Sequence, residues 1–157
     1  MTAPAIFGHV PLVLGKVDSR WLAVKDSGID VRFTGVDVAH KTDNWVNYHV
    51  KYKRDTVDEW STPMETYQRR YGDCEDLALV KRAMLLRSGV PENHIYFVLV
   101  KDVLSKQDHA ILVVYYEHAW VVLDSFNSLT LPVQQVKDYM PIMAFSGGSA
   151  WLYGRKR

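Results

Sequence analysis

The chain holds one cysteine, Cys74, in the run Gly72-Asp73-Cys74-Glu75-Asp76. Gly72 breaks the preceding segment, and Asp73 is placed to cap a helix that Asp76 answers three residues later. A thiol in the first turn of a helix lies among unpaired amides at the positive end of the dipole, which favours the thiolate. The same amides could hold the negative oxygen of a tetrahedral intermediate. Asp73, Glu75 and Asp76 work against this, because acids that point inward raise a thiol pKa. The competing reading of Cys74 is a buried structural cysteine.

A cysteine nucleophile needs a base. Of six histidines, His109 opens an apolar stretch in which Ile111 and Val113 are its same-face neighbours, and this predicts a ring at the edge of a sheet, facing the helix layer. A satisfied core histidine would look similar. Asp124 follows Trp120-Val121-Val122-Leu123, where an unpaired carboxylate would be costly. If the strands 108–116 and 119–126 form a hairpin with an even-length loop near Glu117-His118, His109 pairs with Phe126. Asp124 then lies one diagonal away on the same face. A shift of two residues would set Asp124 directly opposite His109, and an odd-length loop would put the two on opposite faces. A carboxylate in either even register could hold the imidazole in one tautomer and stabilise the imidazolium. Asn127 reads as a turn residue. Trp60 has two readings, a cleft wall assisting the oxyanion site or a core tryptophan, and the residue type favours the core.

The elements that must position these side chains are legible from period and punctuation. Irregular helical spacings from Lys16 to Ser27 and from about Val36 to Tyr52 suggest short amphipathic helices. Thr62-Pro63 is a helix start, with the helix expected to run to about Tyr71. The helix opened by Cys74 should span about 74–88, since Gly89-Val90-Pro91 stops it. After this the period falls to two: His94 to Lys101, Asp108 to Tyr116 and Ala119 to Phe126 read as successive antiparallel strands. Met140 to Phe145 and Ala150 to Tyr153 could add one or two more. The expected class is α+β, with N-terminal helices packed on one face of a mainly antiparallel sheet.

The 157 residues, 48% hydrophobic and 24% charged, suit one domain over 1–157 rather than a disordered or fibrous chain. A formal net charge of +1 builds in no pull toward nucleic acid or anionic membrane. Arg155-Lys156-Arg157 reads as a solvated tail. One cysteine excludes an intrachain disulfide. Every apolar run is far shorter than the roughly 20 residues of a helical membrane span. Residues 1–10 show no basic segment followed by an apolar one, so no secretory signal is expected there.

The motifs also form a pattern. Trp60-Ser61-Thr62-Pro63-Met64-Glu65, Gly72-Asp73-Cys74-Glu75-Asp76-Leu77-Ala78, Asp108-His109-Ala110, Leu123-Asp124 and the tail from Pro141 to Gly148 with Trp151-Leu152 resemble the bacterial transglutaminase-like cysteine proteinases. The likeness covers roughly 45–153. It implies a papain/transglutaminase-like fold with the nucleophile at a helix N-terminus. It implies a Cys74-His109-Asp124 triad that hydrolyses peptide bonds through an acyl-enzyme, and so a protein or peptide substrate. It further implies a calcium ion beside the nucleophile, with Asp73 and Glu75 in the ligand positions, oxygen donors that suit a hard cation. Asp73 as a plain N-cap and Glu75 as a first-turn acid are the alternative. A periplasmic location follows if an export signal has been removed, and a cytoplasmic or phage-encoded relative if not.

Two other functions use the same residues: a transglutaminase or peptidoglycan amidase on the same triad, and a non-catalytic binding module on the same fold. All three triad types in the right order speak against the last. Substrate identity and oligomeric state are not written in the sequence.

Overall fold

The computed structural model describes residues 2–17, 28–54 and 61–155. In chain order they form β1 (His9–Lys16), α1 (Val38–His49), β2 (Lys51–Tyr52), α2 (Pro63–Arg69), β3 (Tyr71–Gly72), α3 (Cys74–Arg87), β4 (Ile95–Asp102), β5 (Asp108–Tyr116), β6 (Ala119–Leu123), β7 (Tyr139–Ser146) and β8 (Ser149–Arg155). Single 3-10 turns sit at Glu92–His94 and Val133–Gln135. The α+β expectation holds, as do its three central strands and two final ones. Strand β1 was not expected. The helix expected over Lys16–Ser27 falls largely on 18–27, outside the described residues.

Local chemistry sets the helix ends. Thr62 Oγ1 accepts from the Glu65 amide at 3.2 Å while Glu65 Oε1 accepts from the Thr62 amide at 3.0 Å, with Pro63 in the first turn; this closes a capping box. A second box opens α3, where Asp73 Oδ1 accepts from the Asp76 amide at 3.2 Å and Asp76 Oδ2 from the Asp73 amide at 3.3 Å. Gly72 makes that box possible, because a Cβ there would lie 2.7 Å from the Asp76 Cβ. Gly89, at φ 92°, ends the helix in the left-handed conformation that glycine tolerates best.

The sheet has the order β1-β8-β7-β4-β5-β6, with every neighbouring pair antiparallel. It is therefore not a simple meander. After the β4-β5-β6 run the chain crosses back, so that β7 pairs with the other edge of β4. Helix α3 is buried from Asp76 to Leu85. It presses Ala78, Leu79 and Leu85 onto Phe97, Ala110, Leu112 and Val114 of the sheet, and Leu77, Val80 and Met84 onto Val46 and Val50 of the α1 segment. The opposite sheet face, with Tyr96, Val98, Ile111, Val113 and Trp151, is covered by Ala3, Ile6 and Val133. Among the described residues no helix is long and apolar enough to cross a membrane.

Candidate active site

Cys74 is the first residue of α3 and is half-buried. It lines a cavity of about 280 Å3 with Glu75, Leu99, Val100, Asp108, His109, Ala110 and Ile142. The sulfur donates to Glu75 Oε2 at 3.3 Å, and the main-chain amide of Ala110 favours its thiolate. Its thiol pKa is pushed up to about 12, first by burial and then by the Glu75 charge, against the smaller lowering from the Ala110 amide. The helix-terminus expectation of a depressed thiol pKa is thus overridden. Desolvation and an adjacent carboxylate outweigh a dipole whose worth is about 1 kcal/mol.

His109 is buried in β5, and its Nε2 lies 2.7 Å from Asp124 Oδ1. The β5-β6 hairpin turns through the two residues Glu117 and His118, with Tyr116 opposite Ala119 and Leu112 opposite Leu123, the even loop on which the shared face depends. Both loop residues have positive φ, as the favoured two-residue hairpin turn requires. Continuing that register sets Phe126 opposite His109. The chain leaves the ladder first, however, and Phe126 folds its ring flat against the imidazole, with centroids 4.4 Å apart and planes 6° apart. Asp124 heads the turn: its Oδ1 accepts from the Phe126 amide at 3.0 Å. Asn127 is a turn residue, its side-chain oxygen accepting from the Leu129 amide at 2.9 Å.

One expectation needs correction. His109 was placed on the face toward the helices, but strand alternation gives that face to Ala110, Leu112 and Val114. His109 shares a face with Ile111 and Val113, which pack away from the helices. Its position at the end of β5, beside the α3 N-terminus over Ala110, is what brings the ring to the cavity of Cys74.

Asp124 is held below the usual carboxylate range. Burial alone would raise its pKa, but the donors His109, Tyr139 and the Phe126 amide together outweigh it. An ionised carboxylate can only accept. The His109 nitrogen that faces Asp124, Nε2, is therefore the donor of the pair.

Asp73 is the N-cap described above, and its carboxyl also shares a hydrogen bond with Glu75. Burial, then that bond, pushes its pKa up to about 7. Asp73 and Glu75 are neighbouring carboxyl oxygen donors, the donor chemistry that a calcium ion takes. Among the described residues no three His, Cys, Asp or Glu side chains gather into a ready-made cage. Trp60 lies outside the described residues.

Several residues at the site were not singled out in the sequence. Tyr139 donates its phenol proton to Asp124 Oδ2. Asn47 donates to the Asp124 carbonyl at 2.9 Å and to Ser128 Oγ at 3.2 Å. Beneath it Lys81 Nζ meets Asp43 Oδ1 at 2.9 Å, and Thr130 donates to Asp43 Oδ2 at 2.9 Å. The one available signal was Lys81, a cation that with Arg82 interrupts the apolar run from Leu77 to Leu86 in α3.

Comparison with known proteins bears on this geometry. The sequence model of the bacterial transglutaminase-like cysteine proteinases matches residues 23–151. Legionella pneumophila LapG superposes with a TM-score of 0.68 at 27% identity, over 85% of this chain and 76% of LapG. Its calcium-bound form gives a TM-score of 0.69 at the same identity and coverage. A Cytophaga hutchinsonii protein, 17% identical over 87% of this chain and 50% of its own, has a TM-score of 0.50 and is alike in fold alone. A search of curated proteins returns no match.

Proposed function

The chain belongs to the bacterial transglutaminase-like cysteine proteinases, and because it is therefore a cysteine protease acting on protein, we propose that Cys74, His109 and Asp124 are its catalytic groups. The observation that carries the assignment is the buried 2.7 Å contact of His109 Nε2 with Asp124 Oδ1, on a ring that lines the same cavity as the only thiol. His109 Nδ1 takes the thiol proton, and the sulfur attacks the scissile carbonyl carbon. The amides of Asp76 and Leu77 are already bonded to Asp73, which leaves those of Cys74 and Glu75 for the oxyanion. Collapse expels the amine with the proton from His109 and leaves an acyl-enzyme. Water, deprotonated by the same nitrogen, then releases the acid. Asp124 stays ionised throughout and stabilises the imidazolium.

Asp73 and Glu75 would hold calcium, an ion that one LapG structure contains. Bound there, the ion would supply positive charge beside Cys74, offsetting the carboxylate that holds the thiol protonated.

Cys74→Ala and His109→Ala should each abolish peptide cleavage while circular dichroism stays unchanged; turnover in either variant rejects the mechanism. Release of free acid, rather than incorporation of a labelled amine, supports hydrolysis over transfer. Iodoacetamide labelling of Cys74 at neutral pH should accelerate with calcium and slow again with EGTA. A labelling rate indifferent to both removes calcium from the proposal.

A further inference from the structure

We infer that Tyr139 is a positioning residue of this peptidase, resting on the roles assigned above to His109 and Asp124: its phenol holds Asp124 Oδ2 so that Oδ1 stays aimed at the imidazole.

The construction of β7 is the first reason. Ala144 lies opposite Val98 and Met143 opposite Leu99, but the next pair is Val100 with Pro141, so Ile142 is one residue more than β4 can match. Side chains alternate along a strand, and one extra residue turns every earlier side chain to the other face. Without the bulge, Met140 would stand opposite Asp102 and Tyr139 would point toward the helices with Leu99. With it, Tyr139 stands opposite Asp102, on the face of Val98 and Val100. That is also the face of His109, which pairs with Val100. The extra residue is not idle either, since Ile142 lines the cavity of Cys74 and His109. Proline at 141 suits the interrupted ladder, having no N–H to leave unpaired.

The second reason is the chemistry of the carboxylate. Oδ1 receives His109 Nε2 and the Phe126 amide, and Oδ2 receives the phenol. With Oδ2 unheld, the carboxyl could turn about its last torsion, which is broad and roughly two-fold. The phenol is itself fixed: its ring meets Phe7 edge-on with centroids 6.1 Å apart and lies 5.5 Å from the His109 ring. Burial, and then the negative charge of Asp124, push the phenol pKa upward, so the group remains a donor.

Tyr139→Phe keeps the ring and removes the bond. On a peptide substrate kcat should fall about tenfold or more with KM within about twofold, the range of a hydrogen bond to a charged group. The low-field proton NMR signal of His109 Nε2–H, sharp in the wild type, should broaden through exchange with water. Wild-type kcat with an unchanged signal overturns the inference. So does a fall in kcat with an unchanged signal, because the phenol would then act other than through Asp124. The NMR arm needs no turnover. If the wild type cleaves no peptide while Tyr139→Phe still broadens the signal, the peptidase assignment fails and the positioning of Asp124 stands.

Discussion

Asp124 shows how one side chain is set by competing terms. Burial favours its neutral form, three donors favour its charged form, and the donors win. Its folded pKa is therefore below the unfolded value of about 3.9. The sign follows from linkage: ionised Asp124 contributes stability that is full above the unfolded pKa and is lost as pH falls through the folded one. Urea unfolding of the wild type and of Asp124→Asn should thus show a gap that is constant near neutrality and shrinks below about pH 4. A gap independent of pH in that window would mean the carboxylate gains nothing from its partners. Cys74 makes the complementary point, since its elevated pKa comes from what α3 and β5 bury it among rather than from its place in the helix.

Between elements, the ion pair of Lys81 on α3 with Asp43 on α1 ties the helices to the turn that carries Asp124. Both side chains are at most 1% exposed. Burial pushes the Lys81 pKa down and the Asp43 pKa up, and in each case the partner opposes the shift. Asp43 also accepts from Thr130, and Asn47, one turn along α1, donates to the Asp124 carbonyl. Removing one charge strands the other, so Lys81→Met should cost about 3–5 kcal/mol in denaturant unfolding. Lys81→Met combined with Asp43→Asn should cost less than Lys81→Met alone, because no unpaired charge remains. Equal losses in the single and double variants would show that the pair is not what matters.

Across the whole molecule, the sheet is covered on both faces, by α3 on one and by the N-terminal segment with the 133–135 turn on the other. Ala3 and Ile6 are buried against the second face, and the Tyr153 hydroxyl donates to the Pro4 carbonyl at 2.8 Å. Deleting residues 1–6 uncovers that face. The loss of one buried isoleucine and one hydrogen bond is worth about 3 kcal/mol, a fall in Tm of about 10 °C for a chain of this length. Differential scanning calorimetry would read it directly, and an unchanged Tm would show that the segment adds no stability.

The sequence by itself determined the starts of α2 and α3, the succession of strands after them and the identity of the lone thiol. Capping boxes at Thr62 and Asp73, an even loop at Glu117-His118 and a period of two are local facts, decided by neighbours within a few residues. It also fixed the order Cys74, His109, Asp124. Only the tertiary structure decided which sheet face the imidazole occupies, how far the thiol is desolvated, and that Tyr139 and Asn47 attend Asp124. A bulge such as that at Ile142 is hinted at in the sequence only by Pro141, yet it reverses the facing of every residue before it in the strand. Burial likewise depends on elements far apart in the chain, so the charge state of a side chain becomes readable only once those elements are packed.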